Sequence, residues 1–267
     1  MNILCVGLKE INSGKTTLVL ALIRYFQEKG LEVGGFKPRS GNNLWYHWEI
    51  VKNGLDQGMI YGKDAQIIYN ALDQKLPISK INPVHRLWVP EEKEVKWNGF
   101  PSFLLDRIHI KGQQIIALNL HTKIPIDEKY FEKLFARSKI REIKTREDLS
   151  NILKLYDEAN EWAYHELKKE FDNLIIESYI NVALPWREIS NIDYVFVVRP
   201  FQIRIFEGEK YLKAHEVLFS LPIEEEVQDV IKHLKPIQTI KIPPFSEDIT
   251  QNYVARLKKY MDKLFRL

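Results

Sequence analysis

Gly14-Lys15-Thr16-Thr17 follows the apolar run Ile3–Val6 and Gly7, and directly precedes a long amphipathic stretch that begins at Leu18. The residue types define a chemistry. Backbone N–H groups at a helix start lack intrahelical acceptors and sit at the positive end of the helix dipole, so consecutive ones can wrap a polyphosphate. A lysine there brings a point charge to the outer phosphates, and a threonine hydroxyl can ligate Mg²⁺. We therefore expect a phosphate-binding P-loop in which Asn12, Ser13, Gly14, Lys15, Thr16 and Thr17 hold a nucleotide. The spacing is unusual. Lys9 stands where G-x-x-x-x-G-K-[ST] would place its first glycine, and Gly7 leaves six residues before Gly14.

The flanking elements must hold that loop. Asn2–Val6 reads as a strand and Lys15–Lys29 as a helix, with Leu18, Leu22, Tyr25 and Phe26 at helical spacing and Gly30 as its C-cap. Leu31–Phe36 reads as the next strand, stopped by Lys37-Pro38, which makes one βαβ unit and implies a parallel sheet. The apolar runs Leu174–Ile176 and Tyr194–Val198 read as strands buried on both faces, joined by a strand within Ile237–Ile242. Helices are expected over Asp64–Leu72, Glu147–Glu170, Glu224–Leu234 and Asp248–Leu267. Arg39–Gly62 reads as loop with a short helical piece, and Lys75–Pro90 as irregular.

Lys93–Lys144 reads as an insertion. Within it, Asp106–Ile110 and Gln114–Leu120 alternate about Lys111-Gly112-Gln113 as a β-hairpin, followed by a helix over Ile126–Ala136 and a basic turn over Arg137–Arg146. The expected fold class is α/β: a P-loop NTPase, one domain over 1–267, with a mostly parallel sheet covered by helices on both faces.

Composition narrows the function. With 267 residues, 45% hydrophobic and 28% charged, the chain can bury a sizeable core. Its 39 basic and 36 acidic residues nearly balance, which makes no case for nucleic acid or an anionic membrane; the basic residues of Arg137–Arg146 read as a solvated face. The lone Cys5 excludes an internal disulfide and reads as a buried apolar residue. The seven histidines show no zinc spacing. The first residues already read as the P-loop strand, and no apolar run is long enough for a membrane span, so a cytoplasmic location is expected. Trp45-Tyr46-His47-Trp48 could floor a substrate pocket or order its own loop. Whether the chain forms a homodimer stays open.

Further landmarks follow the loop in order: Gly35-Phe36-Lys37-Pro38 with Ser40-Gly41, then Lys63-Asp64-Ala65, Ile81-Asn82-Pro83 and Ile175-Ile176-Glu177. Their order and spacing resemble the dethiobiotin synthetase family and its P-loop ATPase relatives, over about residues 1–90 and 172–186. The resemblance implies ATP and Mg²⁺ as cofactors. It implies Thr16, Asp64 and Glu177 at the metal, Lys15 and Lys37 as catalytic charges, and Ser40 at a small-molecule substrate; Arg39, unusual at its position, could bind an anionic one. Where the family has a glycine-rich segment after the strand-end glutamate, this chain has Ser178-Tyr179-Ile180-Asn181. Arg199-Pro200-Phe201-Gln202 likewise replaces the family's Asn-containing segment. We therefore expect an ATP-dependent ligase or phosphoryl-transfer enzyme other than an authentic dethiobiotin synthetase. The alternative is a nucleotide switch or assembly ATPase whose inserted region binds a partner protein.

Overall fold

The structure is a computed structural model that describes residues 1–9, 13–90, 101–122, 126–218 and 225–266. The first half of the chain forms β1 (Asn2–Gly7), α1 (Lys15–Glu28), β2 (Val33–Phe36), β3 (Arg39–Asn43), α2 (Trp48–Asp56), α3 (Lys63–Ala71), α4 (Ile78–Ile81), β4 (Val84–Trp88), β5 (Phe103–Ile110) and β6 (Gln113–Asn119). After a 3-10 turn over Glu128–Phe131 come α5 (Glu132–Ala136), β7 (Lys139–Ile143), α6 (Arg146–Glu170), β8 (Asn173–Glu177) and β9 (Tyr194–Arg199). The chain continues through β10 (Gln202–Glu207), α7 (Gly208–Leu218), α8 (Val227–Ile231), β11 (Gln238–Lys241) and α9 (Ile249–Phe265). These elements divide into two compact units, one of Met1–Lys37, Ile68–Lys75 and Leu167–Leu267, the other of Pro38–Ile67 and Leu76–Glu166. The second unit extends beyond the expected insertion 93–144 at both ends, and residues 93–100 and 123–125 of that insertion lie outside the described residues.

The first unit is built on a six-stranded sheet in the order β11-β10-β9-β1-β8-β2. Every strand expected for it is there. Ile3, Leu4, Cys5, Leu174, Ile175 and Ile176 have no exposure, as continuous apolar runs in central strands require. Each fully buried Ile or Leu contributes roughly 1.5–3 kcal/mol. Helices cover both sides, as β2 shows. A Cβ on Gly35 would lie 2.4 Å from Ile68 of α3 and 3.3 Å from Ile23 of α1, whereas one on the oppositely facing Gly34 would lie 2.9 Å from Phe171, the residue that follows α6. Gly30 ends α1 at φ +71°, with its N–H on Gln27 O and the Leu31 N–H on Phe26 O, which is a Schellman cap.

The sheet has the expected parallel majority, three of its five pairings, but is mixed at one edge. β2, β8, β1 and β9 run parallel, but β9–β10 and β10–β11 are antiparallel. The cause is the tight connection through Pro200 and Phe201, the latter at φ +67°, which allows only an antiparallel neighbour. β10 was not among the expected strands, although Ile203 and Ile205 alternate with Gln202 and Arg204 as a half-buried strand requires.

The second unit holds a five-stranded sheet in the order β3-β4-β5-β6-β7. The expected hairpin is its centre: β5 and β6 pair antiparallel around Lys111 and Gly112, both at positive φ, as a type I′ turn demands. One face packs Leu87, Leu105 and Ile116 against Val51 and Leu55 of α2 and Leu134 of α5. The other packs Val84, Ile108 and Ala117 against Ile152, Tyr156 and Ala159 of α6.

Three strands here correct the loop, irregular and turn expectations for their segments. β3, sequence Arg-Ser-Gly-Asn-Asn, has little strand propensity and is held by parallel pairing with β4. β4 follows directly on the Asn82-Pro83 signal that suggested irregularity. β7 is an edge strand whose first four residues are exposed, including two basic side chains and one acidic, a pattern that discourages pairing with other chains.

Candidate functional site

The site in the first unit arises because β8 lies between β1 and β2. Parallel registers set Cys5 opposite Glu177 on one side and Phe36 opposite Ile176 on the other. One step past Phe36, Lys37 therefore falls beside Glu177 on the same face of the sheet. Its Nζ donates to Glu177 Oε1 at 2.8 Å and to the Ser178 carbonyl at 2.9 Å. Both side chains are buried, 3% and 0% exposed. Thr16, in the first turn of α1, donates its hydroxyl to the same Oε1 at 3.1 Å. One carboxylate oxygen thus gathers an ammonium and a hydroxyl. Burial, with the nearby Glu177 adding to it, pushes the Cys5 thiol up and keeps it protonated.

The loop before α1 has the form its sequence calls for. Gly14 is the N-cap at φ +93°, in the left-handed region that favours glycine, and the Leu18 N–H on Gly14 O opens the helical ladder. Lys15 is buried, and its Nζ donates to the Ile180 carbonyl at 2.6 Å and to Ser13 Oγ at 3.3 Å. Ile180 sits at φ +47°, a strained conformation for a β-branched residue, of the kind worth about 1–3 kcal/mol. Its turn is tied onward by Ala183 N–H on Glu225 O and Val227 N–H on Asn181 O, each 2.9 Å.

Gly7 fits this loop closely. A Cβ there would stand 2.3 Å from Ser13 Oγ and 3.0 Å from Lys15 Nζ. Gly7→Ala is expected to destabilise the protein by about 1–3 kcal/mol, the range for overpacking a tight site, as read by urea denaturation. An unchanged midpoint would mean that the loop does not pack on Gly7.

The expected residues fall into three groups. Within the first unit Thr16 meets Lys37 at Glu177 Oε1, Lys15 bonds Ser13 and the Ile180 carbonyl just beyond β8, Gly14 caps α1, and Thr17 is the third residue of that helix. Asn12 lies outside the described residues. Arg39, Ser40 and Asp64 belong to the second unit. There Asp64 occupies the first turn of α3, Arg39 stacks its guanidinium 5.0 Å from the Tyr156 ring centre, and Ser40 bonds Asn82 and His85. Among the described residues no group of three or more His, Cys, Asp or Glu side chains is placed to hold a metal.

Two features escaped sequence reasoning. The Lys15–Ile180 bond depends on main-chain geometry that no motif encodes. An open cleft of about 910 Å³ is also lined by Leu8, Lys9, Phe201, Gln202 and Pro243, together with cations that include Arg199. Its signal was the Arg199–Gln202 departure itself.

No protein-family model matches the chain, and a search of curated proteins finds no significant match. No helix among the described residues is long and apolar enough to cross a membrane.

Proposed function

We propose that this chain is a P-loop ATPase that binds ATP–Mg²⁺ on the Ser13–Thr17 loop and transfers or activates a phosphoryl group on a small molecule. The observation that carries this reading is the convergence of Lys15, Thr16 and Lys37 on the end of β8. In-line phosphoryl transfer needs positioning and neutralised charge more than covalent catalysis. Lys15 and Lys37 are held by protein oxygens, at Ile180, Ser178 and Glu177, whose places phosphate oxygens would take. Thr16 and Glu177 suit Mg²⁺, which takes one or two protein oxygen ligands and fills its remaining positions with phosphate and water. The ion would supply charge screening there. The cleft beside Leu8 and Lys9 is where the nucleoside would lie, with Phe201 available for stacking and Gln202 for the edge of a base.

A second reading, a nucleotide switch, draws on one observation. Lys15 holds the strained Ile180 turn in place, so drawing Lys15 toward phosphates would release that turn and, through Asn181 and Ala183, the segment at Glu225.

A thermal-shift screen of amines and carboxylates, with and without ATP–Mg²⁺, tests both. The enzyme reading expects stabilisation by ATP–Mg²⁺ that one class of small molecule deepens. Stabilisation by ATP–Mg²⁺ alone favours the switch, and no stabilisation by it removes both. Synergy with diaminopelargonate together with carbon dioxide-dependent ADP release would overturn the expectation that the chain is not a dethiobiotin synthetase.

A further inference from the structure

The second unit carries a polar row that the nucleotide reading does not use. Strands β3, β4 and β5 set Ser40, His85 and Arg107 side by side in register, on the face that also holds Leu87 and Leu105. The row starts at the edge strand with half-buried Ser40 and runs inward to His85 and Arg107, which have no exposure.

Arg107 is a buried charge with no counter-charge among the described residues. The opposite face of the same strands supplies the contrast: Arg86 grips both oxygens of Asp106, at 2.7 and 2.8 Å, and the Tyr156 hydroxyl donates to that carboxylate too. Arg107 makes no ion pair among the described residues. It donates to the Asn82 carbonyl, weakly to Asn82 Oδ1 at 3.4 Å and to Pro83 O at 3.5 Å, while its Nε has no acceptor. Burial alone lowers its pKa to about 9. A buried ion left in that condition is costly, and proteins match such a charge with an anion.

The hydrogen bonds around His85 specify what kind. Asn82 Nδ2 donates to Val84 O at 2.8 Å, so its Oδ1 is the acceptor that faces Ser40 at 2.7 Å. The single Ser40 proton goes there. Ser40 Oγ must then accept from His85 Nδ1–H, 2.8 Å away. Burial and the neighbouring Arg107 keep the imidazole neutral, so Nε2 carries a lone pair, and that atom is buried with no donor. Cross-strand neighbours thus offer one unmet charged N–H and one unmet lone pair.

We propose that this row binds a hydrogen-bearing oxyanion, the class that includes bicarbonate and hydrogen phosphate. Its charged oxygen accepts from Arg107 Nε, and its O–H donates to His85 Nε2. Acetate and chloride provide the charge but lack the O–H. Gly62 lies against the outer end of the row, where a Cβ would come within 2.7 Å of Ser40 Oγ, so the start of α3 reaches the same place.

The test is thermal unfolding of the full chain at fixed pH and ionic strength with bicarbonate, phosphate, acetate or chloride. Bicarbonate, phosphate or both should raise the midpoint saturably, by about 3–6 °C at ten times Kd, and which of them does so names the ligand. Acetate and chloride should not. The gain should vanish in Arg107→Met and persist in Lys15→Ala, which separates this site from phosphate on the P-loop. Without added anion, Arg107→Met should be at least as stable as the wild type. As a readout free of mutations, the ¹⁵N shift of His85 Nε2 in the wild type should move as its lone pair gains a donor. Equal gains from all four anions, gains that survive in Arg107→Met, or an Nε2 signal unmoved by both bicarbonate and phosphate would overturn the proposal.

Discussion

Lys15→Ala is expected to weaken ATP–Mg²⁺ binding by about two to three orders of magnitude in titration calorimetry. A lysine ammonium reaching two phosphate oxygens makes charge-assisted hydrogen bonds worth about 1.5–3 kcal/mol each, and losing both at the lower end of that range removes roughly 3–4 kcal/mol. Lys15 is already buried beside the helix start, hydrogen-bonded to the Ile180 carbonyl and Ser13, so its stem needs little further ordering to bind. Lys15→Met keeps most of that stem and separates charge from packing. It should lose nearly as much affinity as alanine while unfolding closer to the wild type. Undiminished affinity in either variant would remove the nucleotide from this loop, and with it the enzyme and switch readings alike.

The sequence made this much legible because the signals are local. A continuous apolar run predicts a central strand wherever it lands, and Ile3–Val6, Leu174–Ile176 and Tyr194–Val198 all landed in one sheet. Gly14 and Gly30 marked the two ends of α1 through their backbone demands. What stayed hidden depends on long-range register. Nothing within Gly35–Pro38 shows that β8 will lie next to β2, yet that neighbour turns Lys37 from a strand-end lysine into half of a buried ion pair. β3 and β7 were hidden for a related reason, since pairing partners rather than their own residues make them strands. Asp106-Arg107 misleads in another way. Alternation suggests that one of the two faces water, but helices cover both faces of the second sheet, so both charges are interior.

Breaking the Lys37–Glu177 pair from one side is the mutation expected to cost most in stability. With exposures of 3% and 0%, neither charge can turn to solvent when its partner goes. Glu177→Gln would replace the carboxylate that Lys37 Nζ meets at 2.8 Å by a neutral amide, and Lys37→Met would take the ammonium away from Glu177 Oε1 while keeping the hydrogen bond from Thr16. Removing one partner of such a pair costs about 3–5 kcal/mol. Each single variant should therefore melt roughly 10 °C lower than the wild type. The double variant, with no stranded charge, should cost clearly less than the sum, and the double-mutant cycle reads the difference as coupling. ATP–Mg²⁺ adds a functional axis. If Thr16 and Glu177 hold the ion, Glu177→Gln should lose the Mg²⁺ dependence of nucleotide binding, while Lys37→Met should retain it. Single variants that melt with the wild type would show that this pair does not hold the end of β8 together. An intact Mg²⁺ dependence in Glu177→Gln would leave Glu177 a structural anchor for Lys37 and place the metal on other ligands.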